Sequence, residues 1–265
     1  MGYSIVRYRA RPGDADPPHI FGHRRIEIAW TVIPLAIVLV IFGFTLRTMA
    51  SVDAPREPDQ PPDVTIIGHQ WWWEARYPNG AMTAREIHVP AGRRLLARLE
   101  SADVIHDFWA PELGRKMDAV PGRVGYIWLE ADAPGNYTGA CSEFCGKQHA
   151  GMRFDVVAEA EADFSAWVSR QAETPAAESG ERLFRERKCA DCHAISPQDP
   201  RSYLGPPLAH IASRRFLGGG LPNTPANLTL WINNPQTILP GNRMPDSALP
   251  ADELQALTRF LESRR

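Results

Sequence analysis

All four cysteines of this 265-residue chain lie in two short stretches, Cys141-Ser142-Glu143-Phe144-Cys145 and Cys189-Ala190-Asp191-Cys192-His193. No thiol is left over for a structural disulfide, so the fold must present sulfur at two separate points, and 265 residues leave room for two small domains. The second stretch has the spacing C-x-x-C-H, which attaches a c-type haem: both thiols form thioethers, and the adjacent His193 ligates the iron. A redox dithiol is the rival reading, although it needs no histidine there and expects a βαβ setting. Met244, in Asn242-Arg243-Met244-Pro245, is the only methionine after His193. It is the candidate for the other axial position, with His210 as its competitor.

The residues around this motif suit a small all-α domain. Glu181 to Lys188 reads as a helix leading into the motif, Gly205-Pro206-Pro207-Leu208 as a rigid loop, and Leu228 to Ile232 as a short helix carrying Trp231. In the last segment, Asp252 to Ser263, Leu254, Leu257, Phe260 and Leu261 fall on one helical stripe.

The first stretch is followed by His149 and Met152, so two thiols, an imidazole and a thioether share one loop. Soft thiolate with imidazole suits copper or zinc, and methionine favours copper. Two cysteines suggest two metals bridged by both sulfurs, which requires a second histidine. His106 supplies it, within the β-branched and aromatic run Val104 to Trp109, which reads as a strand end. A single four-ligand zinc site built from both cysteines and two histidines is the alternative. Segments such as Val64 to Ile67, Leu95 to Leu99 and Gly125 to Leu129, separated by Gly and Pro turns, read as strands of a β-sandwich.

Ile28 to Leu46 is a run of 19 residues without a charge, long enough to cross a bilayer as a helix. A secretory signal is the other reading, but no small-residue cleavage pattern follows it. Pro34 is tolerable in such a helix. Arg7, Arg9, Arg11, Arg24 and Arg25 precede the run, which predicts a cytoplasmic N-terminus and an outer location for everything after it.

The run Cys141-Ser-Glu-Phe-Cys145-Gly-Lys-Gln-His149-Ala-Gly-Met152 resembles the dinuclear copper (CuA) loop of cytochrome c oxidase subunit II. His106 to Arg123 and the aromatic segment Gly68-His-Gln-Trp71-Trp72-Trp73 resemble the same family, and residues 178 to 265 resemble a small cytochrome c. The resemblance implies a cupredoxin Greek-key sandwich, with Cys141 and Cys145 as bridging thiolates and His106 and His149 as one imidazole per copper. Met152 and the Glu143 carbonyl would be weak ligands, and the Glu143 side chain would face a magnesium site shared with subunit I. Cys189 and Cys192 would anchor haem c, with His193 and Met244 as axial ligands and the Pro206 loop orienting the His193 ring. Trp71 would be where electrons enter; three consecutive tryptophans in a strand must also place at least one ring in the core.

The expected architecture is a membrane-anchored, multidomain chain. It comprises a cytoplasmic segment 1–27, a transmembrane helix 28–48, a Pro-rich spacer 49–63, a copper domain 64–170, a linker 171–179 and a cytochrome c domain 180–265. Subunits of this family usually have two transmembrane helices. Tyr3 to Arg9 resembles the end of the first and the loop after it, so either a longer chain or a one-helix form is expected; with two helices the N-terminus would lie outside.

The function implied is the electron-input subunit of a haem–copper oxidase in a bacterial plasma membrane, with its C-terminal domains on the outer face. Its partners would be subunit I and other oxidase subunits, with cytochrome c or a quinol–cytochrome c reductase as donor and no nucleic acid. Oxygen reduction and the coupled proton translocation belong to a partner subunit, since no ligand set for a haem–copper centre occurs in this chain. The alternatives are the CuA subunit of a nitric oxide reductase and a membrane-tethered copper shuttle with no enzyme partner. Residues 52 to 177 hold 12 Lys+Arg against 19 Asp+Glu, and residues 178 to 265 hold 11 against 9. Balances of −7 and +2 predict electrostatic guidance of the haem domain onto the copper domain, weakening as salt rises.

Overall fold

The computed structural model describes residues 1–16, 19, 21–55, 58–176, 180–199 and 204–265. Parts of four expected segments lie outside this set: residues 17, 18 and 20 of the N-terminal segment, 56 and 57 of the spacer, 177–179 of the linker, and 200–203 of the cytochrome c domain. The chain divides into two compact units, Met1–Val52 and Asp53–Arg265. The first holds a short helix α1 (Gly2–Arg7) and the long helix α2 (Arg24–Val52). At 29 residues α2 passes both expected ends, so the first four residues of the Pro-rich spacer are helical. Among the described residues it is the one helix long and apolar enough to cross a membrane, about 43 Å at 1.5 Å per residue. Pro34 lies inside it.

The second unit begins with ten strands. They are β1 (Val64–His69), β2 (Trp72–Arg76), β3 (Met82–Ala84), β4 (Glu86–Pro90), β5 (Leu95–Ser101), β6 (His106–Trp109), β7 (Met117–Ala119), β8 (Gly125–Leu129), β9 (Gly135–Cys141) and β10 (Arg153–Glu159). They form two five-stranded sheets in the orders β3-β2-β1-β5-β8 and β4-β10-β9-β6-β7. The period-2 rule is visible in β10, where Phe154, Val156 and Ala158 are buried and their neighbours are not. Inward residues of both sheets, among them Ile66, Trp73, Leu99, Phe108 and Phe154, make a single core. This is a cupredoxin-like sandwich.

Helix α3 (Glu161–Gln171) then packs Phe164 and Trp167 into that core. Gln171, expected to begin the linker, is its last residue and is buried. Beyond it, Thr174 is bonded through its hydroxyl to Ser196, and Ala172, Glu173, Pro175 and Ala176 through their carbonyls. Gln198 donates to Ala172, His210 Nε2 to Glu173 at 2.9 Å, and Arg264 to Pro175 and Ala176.

The C-terminal lobe is helical: α4 (Gly180–Glu186), α5 (Pro225–Asn233), α6 (Pro235–Ile238) and α7 (Ala251–Ser263). α4 stops two residues short of the expected end because Lys188 takes φ 59° and turns the chain toward Cys189. On α7, Leu257, Phe260 and Leu261 are buried and Leu254 packs beside them, so the stripe faces the core of this lobe. Gly180 lets α4 approach α7 closely, since a Cβ there would lie 2.2 Å from Phe260 Cβ.

A buried polar group is tied into the sandwich. Glu74 accepts from His69 Nε2 at 2.9 Å and from Arg76, and Trp72 stacks on His69 at 4.1 Å. Burial alone would raise the Glu74 carboxyl, but His69 and Arg76 outweigh it and hold the group below its ordinary 4.5. A carboxyl lowered by folding adds stability above its unfolded pKa, and that stability is lost as pH falls through the folded value. Glu74→Gln is expected to cost about 1–3 kcal/mol at neutral pH. The gap to wild type should close as the pH drops below about 4.5. Urea unfolding across a pH series measures this; a gap unchanged in acid would refute it.

Candidate metal centres

Strand pairing builds the first centre. β6, between β9 and the edge strand β7, starts with the wholly buried His106, and Phe108 of β6 pairs with Cys141, the last residue of β9. Two backbone bonds close the loop that follows: Cys141 N–H to the Met152 carbonyl at 3.0 Å, and Ser142 N–H to the Asp107 carbonyl at 3.0 Å. A short 3-10 turn, His149–Gly151, then brings His149 and Met152 back under the cysteines.

The six predicted ligand positions converge. The Cys141 and Cys145 sulfurs are 3.8 Å apart. His106 Nδ1 lies 3.9 Å from Cys141 Sγ, and His149 Nδ1 lies 3.6 Å from Cys145 Sγ. Met152 Sδ is 3.7 Å from Cys145 Sγ, and the Glu143 carbonyl is 3.2 Å from Cys141 Sγ. His106, Cys141, Cys145 and Met152 are almost wholly buried, whereas Phe144, at 77% exposure, marks the outer face of the loop. Next to Cys145 and His106, the Cys141 thiol is held far below its ordinary value, and Cys145 is pushed up beside it. Two thiols, two Nδ1 imidazoles and a thioether in a dry pocket fit copper by donor chemistry.

Residues that sequence reasoning did not single out hold these ligands in place. Asp103 Oδ1 is 2.8 Å from His106 Nε2, which commits that nitrogen and leaves Nδ1 for a metal. Burial alone would lower the pKa of His106; Cys141 and Asp103 outweigh it and raise it. Asp103 is itself fixed by the Gln70 and Val104 backbone N–H groups, both at 2.7 Å. Gln70 Nε2 and Trp71 Nε1 both donate to the Cys145 carbonyl, at 2.7 and 2.9 Å. Trp71 thus touches the copper loop and Trp73 fills the core, so the aromatic run divides its rings between the two jobs. Beside the ligands, burial and then Asp118 push the Asp107 carboxyl up to about 7.

The second centre forms where α4 ends. Cys189 to Asp191 make one 3-10 turn, and the His193 N–H returns to the Cys189 carbonyl at 3.0 Å. His193 Nδ1 donates to the Pro206 carbonyl at 2.7 Å. Desolvation lowers its pKa, which favours the neutral ring with an unprotonated Nε2, the tautomer an iron ligand needs. Met244 lies half-buried in the loop between α6 and α7, its N–H bonded to Asn242 Oδ1 and its carbonyl to Gln236 Nε2. His210, the rival axial residue, spends its Nε2 on Glu173. Gly205 sits against the His193 face, where a Cβ would lie 2.4 Å from Cε1. Gly205→Ala is therefore expected to displace the ring and destabilise this lobe by about 1–3 kcal/mol. Thermal melting and the haem absorption bands check this; an unshifted spectrum with an unchanged melting point would contradict it.

Known protein families match both lobes. Residues 81–160 match the family described as cytochrome c oxidase subunit II, periplasmic domain, and residues 177–265 match the cytochrome c family. Cytochrome c oxidase subunit 2 of Alkalihalophilus pseudofirmus is 36% identical over 98% of this chain and 79% of its own length. The chain belongs to the cytochrome c oxidase subunit 2 family. The Bacillus subtilis member is 31% identical over 98% of this chain and 81% of its own. Quinol oxidase subunit 2 of Bacillus cereus is 31% identical over 75% of this chain and 72% of its own. Among solved structures, the periplasmic domain of cytochrome oxidase subunit II from Bradyrhizobium japonicum is 30% identical. It covers 43% of this chain and 95% of its own, with a TM-score of 0.40. The subunit II match implies a copper centre in the sandwich, and the cytochrome c match implies a haem in the helical lobe.

Proposed function

We propose that the chain is the electron-input subunit of a haem–copper terminal oxidase. It takes electrons from cytochrome c or a quinol–cytochrome c reductase and delivers them to subunit I, where oxygen is reduced to water with proton translocation. The observation that carries the reading is the convergence of His106, Cys141, Glu143, Cys145, His149 and Met152 in the same compact unit as Cys189-x-x-Cys192-His193. Cys141 and Cys145 would bridge two coppers, with His106 and His149 as imidazole ligands and Met152 and the Glu143 carbonyl as weak ones. Cys189 and Cys192 would anchor haem c, with His193 and Met244 on its iron. When bound, these groups supply one-electron redox chemistry.

The protein's own part is to hold them still and dry. Two backbone bonds pin the copper loop at its base, and Asp103 and Pro206 fix the tautomers of the two histidines that they face. Helix α2 would anchor the chain in a bacterial plasma membrane, with Asp53–Arg265 on the outer face. The exposed Glu143 side chain is the candidate ligand for a magnesium ion shared with subunit I.

Purification of the native complex and oxygen uptake with reduced cytochrome c test the reading. Uptake is expected, and Cys189→Ser/Cys192→Ser should remove most of the cytochrome-c-driven rate. A fully loaded complex that consumes nitric oxide but no oxygen would overturn it, as would isolation of the chain with no partner subunit.

A further inference from the structure

The loop carrying Met244 lies against the copper lobe. Gln148 Nε2 donates to the Pro240 carbonyl, and the Lys147 side chain runs across Gly241, 3.2 Å from where a Cβ would be. The Arg243 guanidinium donates to Gln70 Oε1 and stands 6.0 Å from the centre of the Trp71 ring. Gln70 and Trp71 are the two residues that donate to the Cys145 carbonyl. A second contact sits on a different edge of the sandwich. Arg215 Nη2 is 2.8 Å from Asp155 Oδ2, and its backbone N–H is 2.8 Å from Glu86 Oε1. Arg85 stands near the same two acids, so that point pairs two cations with two carboxylates.

We propose that Arg215 and Arg243 form a two-point clasp that seats the C-terminal lobe on the Trp71 face of the copper lobe. The partner of that face is then the lobe tethered to it, and a separate protein donor is kept off Trp71 while the clasp is closed. This consequence for donors rests on the electron-input reading above; the seating itself does not.

Three observations support the clasp. Arg243 covers the one tryptophan of the run that is bonded to the copper loop. At Arg215 the clasp pairs a cation of the C-terminal lobe with acids of the lobe that carries the −7 balance. Both contacts are partly exposed, with Arg215 at 42%, too weak to hold separate proteins together. They suffice here because the covalent link makes the encounter intramolecular. Exposure also makes the clasp salt-sensitive.

The test is hydroxyl-radical footprinting of Trp71 in the purified full chain, read residue by residue by mass spectrometry. In Arg215→Glu/Arg243→Glu, Trp71 oxidation is expected to rise about tenfold, the combined effect of two exposed contacts of this kind. Raising the salt should produce the same rise in the unaltered chain, which needs no variant to fold. Adding soluble cytochrome c should restore protection of Trp71 in the double variant and leave the closed wild type unchanged. Trp71 reactivity that neither salt nor the double variant moves would overturn the clasp. Failure of cytochrome c to re-protect the variant would overturn the exclusion of outside donors. Loss of oxygen uptake in the native complex with these footprints intact would count against the electron-input reading and leave the clasp standing.

Discussion

Trp73→Ala is expected to destabilise the copper lobe by about 3–5 kcal/mol and to weaken its copper site at the same time. Trp73 is wholly buried, the largest such side chain among the described residues. Its ring makes edge contacts with Phe108 at 5.4 Å, Phe154 at 5.7 Å and the His106 imidazole at 5.8 Å. Removing it opens a void between the two sheets at the point where β6 delivers His106. The cost of such a void depends on how far its walls can close, and here one wall is a metal ligand. Thermal unfolding by circular dichroism should show a loss of about 10 °C or more. Trp73→Phe should recover much of this, because the indole N–H makes no hydrogen bond and only packing is exchanged. Trp72, half-buried and stacked on His69, should cost much less when truncated. Equal, small losses for both tryptophans would show that the core does not depend on this ring.

Much of this arrangement was legible in the sequence because it is local. Cysteines at i and i+4, histidine at i+8 and methionine at i+11 form one loop that two backbone bonds can close, so spacing alone brings five of the six ligand positions together. His106, 35 residues before Cys141, was legible only because its strand shows a β-branched and aromatic pattern. Strands β1, β5 and β8 announced themselves by alternation between Gly and Pro turns. Helix α3 did not. Its Phe164, Trp167 and Gln171 sit at helical spacing behind an acidic first turn, but Ala and Ser dilute the stripe and the run merges into a polar segment. The supporting residues were hidden for a different reason. Asp103 gains meaning only when β1 and β6 place it under His106, and Gln70 only when the copper loop folds back over it. The bond from Arg243 to Gln70 spans 173 residues. No periodicity encodes an approach of that kind, because each partner would be an unremarkable surface polar group on its own element.

Cys145→Ser should abolish tight copper binding, whereas Asp103→Asn should weaken it by about 10–100-fold, the usual cost of losing a group that orients a ligand. The difference follows from position. Cys145 Sγ lies within 3.8 Å of the Cys141 sulfur, the His149 Nδ1 and the Met152 sulfur, so its loss touches three other ligand atoms at once. Serine keeps the volume but exchanges a soft thiolate for a hard hydroxyl with little affinity for copper. Asparagine at 103 keeps a hydrogen-bonding group near His106 Nε2 and loses only the charge that fixes the tautomer. Metal content per purified chain, by mass spectrometry of the digested protein, provides the measurement. Two coppers are expected in the unaltered chain and about none after Cys145→Ser, with the haem content unchanged because Cys189 and Cys192 lie in the other lobe. The count also decides between the two readings of the ligand set. A four-ligand zinc site would hold one metal, and it would take zinc as readily as copper; a centre bridged by both sulfurs holds two. Retention of a full copper load in Cys145→Ser would mean that the metal is held elsewhere, and the convergence of six ligand positions would then have no part in binding it.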